Sequence, residues 1–442
     1  MRTFVDQHVQ ETAALEEMQR LQQYRAAWEV YYGHHVRQLA ATKSDAQARD
    51  NVIVNYARVI VDKGVAFLFG QDVTFELDET QHTTEEKWLD DCLLANGGLV
   101  LFQKLATNGG VCGHAFAKLW PAQPGLRFPR VIVLDPAMVR VRWDPEDIER
   151  VVQYVISWTA IDPDRGKNVQ YRQLIDRDGE RWTITDQISH ESGPWQTRST
   201  EPWPWPWPPV VDCQNLVAPN EYYGLSDLPE DVQQLNNNVN FVLSNLNRII
   251  RYHAHPKTWG KGFKAAEMDI SVDGTITLPN PAAELHNLEM QSDLSASISV
   301  FNDLREALHE VASVPEIAAG KLERVGALSG LAMQILYQPL VEKTEKKRRT
   351  YGAMLVEMAR RLLEMGGHGP DNHAVLHWPE MLPSNILEER QVALIDRDLG
   401  VSRDTLISRL GYDPDLERQK RETEAAALAD QMLGAFDRDE TA

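Results

Sequence analysis

The chain alternates between helical and strand-like patterning. In the first 45 residues, Leu15, Met18, Leu21, Trp28 and Tyr32 recur near helical spacing, and Gly33 interrupts them. A second helix is predicted over 50–68, stopping at Gly70. Val73–Leu77 alternates as a strand, and 85–107 reads as another helix. From 111 to about 217 the texture changes to short β-rich runs at 115–120, 130–134, 151–158, 169–175 and 181–188. Asp178-Gly179 separates the last two, a hairpin signal. These runs predict a β-rich module of roughly 100 residues.

The most regular pattern follows. A helix should start near Leu228, with Pro229 in its first turn and Ser226 or Asp227 as cap. Leu228, Val232, Leu235, Val239, Val242, Leu246 and Ile249 then hold a seven-residue repeat. The helix runs to about Tyr252, roughly 37 Å at ~1.5 Å per residue. Its polar side carries Asn236, Asn237, Asn238, Asn240, Asn245 and Asn247. Asparagine is a weak helix former, so this helix depends on tertiary or intersubunit packing. With no partner seam apparent in the chain, Val232, Leu235, Val239, Val242, Leu246 and Ile249 are the candidate seam for contact with a neighbouring subunit.

Residues 253–291 form a Gly- and Pro-rich excursion with a hairpin signal at Asp273-Gly274. A second long helix is predicted over 293–312, with Leu294, Ile298, Phe301, Leu304, Leu308 and Val311 on one side and Pro315 ending it. After a loop over 316–326, a very long helix covers 328–365, with a kink expected at Pro339. The remainder, 383–433, reads as helical, with starts at Ser384, Ser402 and Asp413-Pro414 and stops at Gly400 and Gly411. Trp203–Pro209 alternates Trp and Pro and favours polyproline II. It is either a stiff connector whose tryptophans pack on the β-rich module or a docking surface for a partner.

Composition narrows the function. There are 45 basic and 65 acidic residues, a formal net charge of −20. A surface that grips nucleic acid by its phosphates needs the opposite balance, whereas a channel that lets DNA pass without sticking does not. No apolar run of about 18 residues is present, so no transmembrane helix is expected, and the polar N-terminus does not read as a secretory signal. Cys92, Cys112 and Cys213 lack CxxC spacing and read as reduced thiols in a cytoplasmic compartment.

Candidate chemistry is sparse. His34, His35, His253, His255, His368, His373 and His377 have no recognised metal-ligand spacing, so no metal and no cofactor is expected. Phosphate-loop and nucleophile-elbow motifs are missing, and no catalytic residue is assigned. Leu399–Leu410 has the outline of a helix-turn-helix, which would place Arg403 and Asp404 toward base edges. The basic run Glu342–Arg349 is either a solvated helix face or an intersubunit or nucleic-acid contact.

Several segments together carry a resemblance. Asn51–Asp62 is followed by Phe67-Leu-Phe-Gly70. Tyr223-Gly-Leu-Ser-Asp-Leu228 opens the first long helix, and Val314-Pro315 closes the second. Leu328-Ser-Gly-Leu-Ala-Met333 opens the third, and Leu382-Pro383 and Gly400-Val-Ser402 follow. In order and spacing the chain resembles a tailed-bacteriophage portal protein, the head-to-tail connector, over nearly its whole length. It departs from the family pattern at Gln71-Asp72, where a proline is common, and at Gln334, where a lysine is frequent.

The resemblance implies an α+β, mainly α, ring-forming subunit, usually in a homododecamer. Residues 1–227 would be the wing, 228–252 and 293–315 the stem helices, and 253–292 the clip. The tunnel loop would be 316–327, the long kinked helix 328–382 and the helical crown 383–442. It further implies no enzymatic activity, a place at the capsid vertex of the virion, assembly in the host cytoplasm, and passage of double-stranded DNA in packaging and ejection. Implied partners are the terminase motor, head-completion and tail adaptor proteins, and the major capsid or scaffolding protein. Lys321 and Arg324 would be the DNA-channel candidates on the tunnel loop, and the seam from Val232 to Ile249 would serve ring assembly. A DNA-binding regulator working through 385–410 is the alternative reading, and a hydrolase in the β-rich region a third.

Overall fold

A computed structural model describes residues 4–34, 51–77, 83–161, 166–190, 193–254, 258–262, 282–287, 294–319, 330–369, 374–382, 386–412, 414 and 416–424. These fall into two compact units. One comprises 1–326 with 336–379, the other 327–335 with 380–442.

The first unit opens with helix α1 (Phe4–Tyr31). The predicted apolar face is buried only in part: Leu15, Met18 and Tyr32 are exposed, Leu21 and Trp28 are half-buried, and Arg20, Tyr24, Ala27 and Val30 face inward. A buried arginine escapes a pattern read from apolar residues alone. Here its guanidinium is fully engaged, donating to Glu17 and to the Pro136 and Val139 carbonyls while lying 4.3 Å from the Tyr223 ring centre.

Residues 51–55 are not helical, as the pattern had suggested, but extended; α2 runs only over Tyr56–Phe69. Asn55 caps it, its side-chain oxygen accepting from the Arg58 N–H at 3.0 Å. Strand β1 (Thr74–Glu76) follows, as predicted. The single helix expected over 85–107 is two, α3 (Thr84–Ala95) and α4 (Leu99–Cys112). Gly97 and Gly98 turn the chain between them with φ of 107° and 53°.

The β-rich module contains more strands than the sequence pattern suggested. β2 (His114–Trp120) is central between β3 (Arg130–Leu134) and the later β9 (Val210–Gln214). β4 (Val139–Asp144), β5 (Asp147–Ile161), β6 (Asn168–Asp178), β7 (Arg181–His190) and β8 (Gln196–Pro202) form an antiparallel meander in sequence order. The β6–β7 hairpin turns at Gly179, φ 60°, as Asp178-Gly179 predicted. Strands β4, β8 and β9 were missed; β8 is almost wholly exposed and so lacks an alternating pattern. The Trp-Pro stretch is not itself a strand but is tied to two of them, the Trp203 N–H donating to Trp182 O of β7 and Pro209 O accepting from the Leu119 N–H of β2, and it folds inward with Trp203 and Trp207 buried. Trp203 lies beside Trp120 of β2, and Trp207 donates to Glu364 at 2.7 Å beneath the Arg361 guanidinium.

Helix α5 (Glu230–Ala254), hairpin strands β10 (Thr258–Lys261) and β11 (Glu284–Asn287), and helix α6 (Ser295–Val311) come next. Helix α7 (Gly330–Met365) runs through Pro339, with Tyr351, Leu355, Met358 and Leu362 fully buried. Strand β12 (Val375–His377) returns to pair with β1. In the second unit, α8 (Ile386–Asp398) and α9 (Arg403–Arg409) meet at Gly400, φ 94°, with Ser402 capping α9 as predicted.

Candidate functional site: the paired long helices and their roots

The Tyr223–Leu228 segment launches α5 by binding another helix end. Ser226 Oγ donates toward the Gly110 and Val111 carbonyls, and the Asp227 N–H donates to Gly110 O at 2.8 Å. These carbonyls are the unsatisfied acceptors at the C-terminus of α4. Gly224 is required by crowding: a Cβ there would stand 2.6 Å from Gln214 Cβ and from the Gly113 carbonyl.

One face of α5 is the heptad seam. Leu228, Val232, Val239 and Leu246 are buried, and Leu235, Val242 and Ile249 half-buried. Its C-terminal stretch, Val242 to Ile249, meets a partner in the same chain. Helix α6 packs along it, and a groove between them is lined by Val242, Leu246, Ile249, Ala296 and Val300. This stretch of the seam therefore faces α6 within the chain, and its use in ring assembly is taken up as a proposal below. The α6 pattern is weaker, with Ile298 and Val311 about half exposed, which hid the match in the sequence.

A second face of α5 carries Asn236, Asn240, Ser244 and Arg248, one every fourth residue and so stacked on one side. This row reads the backbone of 51–57. Asn236 Oδ1 accepts from the Ala57 N–H at 3.0 Å and its Nδ2 donates to Val54 O. Asn240 Oδ1 accepts from the Val54 N–H at 2.8 Å, and Ser244 Oγ from the Val52 N–H at 3.0 Å. Arg248 reaches Asn51 Oδ1 at 2.7 Å. The amides stand in for a β-strand partner, so an extended segment is held against a helix with its backbone satisfied. Asn236 and Asn240 are fully buried, so this weak helix former is placed where packing and hydrogen bonds hold it.

The roots of both helices meet α7. Lys347 Nζ lies 2.5 Å from Asp227 Oδ2, and Lys343 Nζ 3.1 Å from Asp227 Oδ1. Lys343 also donates to Ala312 O, at the end of α6, at 2.9 Å. Burial pushes the Asp227 carboxyl up, but the two lysines outweigh it and bring it to about 2. Burial lowers Lys347 from its ordinary value. The basic run 342–349 is thus neither a fully solvated face nor a free patch. Arg348 lies over Trp378 and donates to Pro379 O, leaving Lys346 and Arg349 exposed. Beside the roots, Arg305 pairs with Glu316 at 2.5 Å, the His309 ring packs against Tyr56, and its Nδ1 meets Val314 O at 2.7 Å.

The chain matches the family model "Phage portal protein, SPP1 Gp6-like" over residues 14–431. It belongs to that family. No curated protein sequence matches it. Two solved structures are similar at 14% identity, each over 81% of this chain and 90% of that one: the neck of an empty gene transfer agent particle, TM-score 0.49, and the virion of the native particle, TM-score 0.45.

In portal terms, α5 and α6 are the helices expected as the stem, and β10–β11 is the described part of the expected clip. The hairpin predicted at Asp273-Gly274 and the DNA-channel candidates Lys321 and Arg324 lie outside the described residues. The expected tunnel loop is described only as a short 3-10 turn, Glu316–Ala319. His35, His255 and His373 also lie outside the described residues, while His377 pairs with Glu76 and the His368 ring packs at a tilt against Trp88. Among the described residues, no group of three His, Cys, Asp or Glu could hold a metal ion, and no helix is long and apolar enough to cross a membrane. The three cysteines are free and buried. A portal protein is a structural component rather than a catalyst, and a connector role follows from the family.

Proposed function

We propose that this chain is the portal subunit of a tailed phage or phage-like particle, closing into a ring of usually twelve copies at the capsid vertex. Double-stranded DNA enters through that ring during packaging and leaves through it on ejection. The family match over 14–431 carries the reading. It is supported by two long helices that flank an antiparallel strand pair, and by a net charge of −20, which limits the phosphate contacts that would drag on a sliding duplex. Residues 253–292 would dock the terminase motor, which supplies the energy for movement, and later the head-completion and tail adaptor proteins. The rim would meet the major capsid or scaffolding protein. Assembly would take place in the host cytoplasm, the finished ring remaining in the virion.

Ring closure needs two different complementary surfaces on each subunit. With part of the heptad seam facing α6, exposed apolar side chains outside that groove join the candidates for the contact, among them Phe241 on α5, 55% exposed, and Ile298 on α6. A regulator acting through α8 and α9 is not favoured. Helix α9 has seven residues, Arg409 is held by Asp396 at 2.6 Å, and Asp404 by Arg418 at 2.8 Å. Native mass spectrometry with negative-stain imaging tests the portal reading. The expected result is a closed ring of uniform subunit number; monomer alone at micromolar concentration across salt conditions would refute it.

A further inference from the structure

The sites where α5 begins and α6 ends are far apart in sequence, yet one helix holds both. Lys343 and Lys347 are four residues apart on α7 and therefore share a face. Their ammonium groups grip the two oxygens of one carboxylate, Asp227, three residues before α5 starts. Lys343 alone also reaches the carbonyl of Ala312, the residue that ends α6. The centre of the cluster is shielded from water, the Asp227 and Lys347 side chains being 1% and 3% exposed, while Lys343 keeps 14%. It sits against glycines that leave room for it. A Cβ on Gly110 would stand 3.0 Å from Asp227 Oδ2, and one on Gly64 would stand 3.5 Å from Lys347 Nζ.

Two buried ammonium groups against one carboxylate would leave an excess positive charge. The Ala312 carbonyl, at the negative end of the α6 dipole, offsets part of it. Charge balance therefore requires α5, α6 and α7 to be in place together. Such a cluster adds little stability over an apolar one, because desolvation offsets most of the attraction. What it does impose is geometry, since each group is costly when its partner moves away.

We infer that Asp227, Lys343 and Lys347 form a joint through which α7 holds the roots of α5 and α6 as one body, so that a displacement of α7 is passed to both helices together. The three act as positioning residues. The inference rests on the portal reading only for its consequence in DNA packaging, because the contacts themselves lie within one subunit.

Hydrogen exchange on the full-length protein tests the joint, with Lys343→Met as the main variant. The expected result is at least tenfold faster exchange at both roots, near 230–236 and 305–312, with the β4–β8 sheet unchanged. Unchanged protection, or loosening at only one root, would overturn the joint. Asp227→Asn should loosen both roots more strongly, and Asp227→Asn with Lys347→Met should recover most of the lost protection by removing the uncompensated charge. No recovery would mean that charge balance is not what holds the roots. Rings of Lys343→Met should assemble yet package severalfold less DNA; normal packaging with loosened roots would show that the joint does not serve translocation. If the unaltered protein forms no ring, the portal reading fails while the exchange result still decides the joint.

Discussion

Asn240 shows what a single side chain does here that its position in a repeat would not suggest. Its Oδ1 is the acceptor for the Val54 N–H, and the residue is fully buried. Asn240→Ala removes that acceptor and leaves a buried N–H unpaired, a loss of about 1–3 kcal/mol. Urea unfolding should show the loss, and Asn238→Ala, at an exposed position of the same helix, should show little of it. Asp227 sets a pH dependence of defined sign. Its carboxyl falls from 3.8 to about 2 on folding, so its contribution is complete above about pH 4 and is lost as the pH falls toward 2. Acid titration of unfolding should therefore be shallower between pH 4 and 2 in Asp227→Asn than in the unaltered protein.

At the scale of the element, α5 shows how much of the structure was legible in the sequence. Its start, its length and its apolar seam were visible, because cap residues and a seven-residue repeat are local signals. The seam's partner was not, since α6 is only half apolar toward solvent and lies about 50 residues on. Asn236 and Asn240 looked like a neutral face because hydrogen bonds to a segment some 180 residues upstream leave no local pattern. For the same reason Lys343 and Lys347 looked like part of a solvated basic run. Residues 51–55, rich in β-branched side chains, were absorbed into a helical pattern that only tertiary contacts could correct. The two faces of α5 give a paired prediction. Val239→Asp places an unpaired carboxylate on the buried face of α5 and should destabilise the subunit itself by several kcal/mol, lowering its thermal midpoint before any question of assembly. Phe241→Asp, on an exposed face, should leave the monomer's midpoint within a few degrees and weaken the ring. Equal loss of folding in both variants would remove Phe241 from the interface.

For the whole molecule, the proposed function raises the question of how an acidic chain would meet DNA at all. A net charge of −20 per subunit, repeated around a ring, repels a duplex, so any contact must come from a few local cations. The Lys and Arg groups on α7 that might have served are partly committed inward, to Asp227 and to the Pro379 carbonyl. Lys321 and Arg324, three apart between Pro315 and the start of α7, remain the proposed contacts. Gly320 and Gly326 in the same segment permit backbone change at no steric cost. Two basic residues per subunit bind phosphate weakly, and salt screens them within a Debye length of about 8 Å at physiological ionic strength. That suits a contact which must release and re-form as the duplex advances. Lys321→Ala with Arg324→Ala should accordingly leave the ring's subunit number and thermal midpoint unchanged while reducing DNA packaged or retained in the head, and the difference from the unaltered ring should narrow as salt is raised, because the charges that salt screens are already gone in the variant. An in vitro packaging assay on assembled variant rings measures both quantities; normal packaging together with normal retention would show that these charges do not engage the DNA.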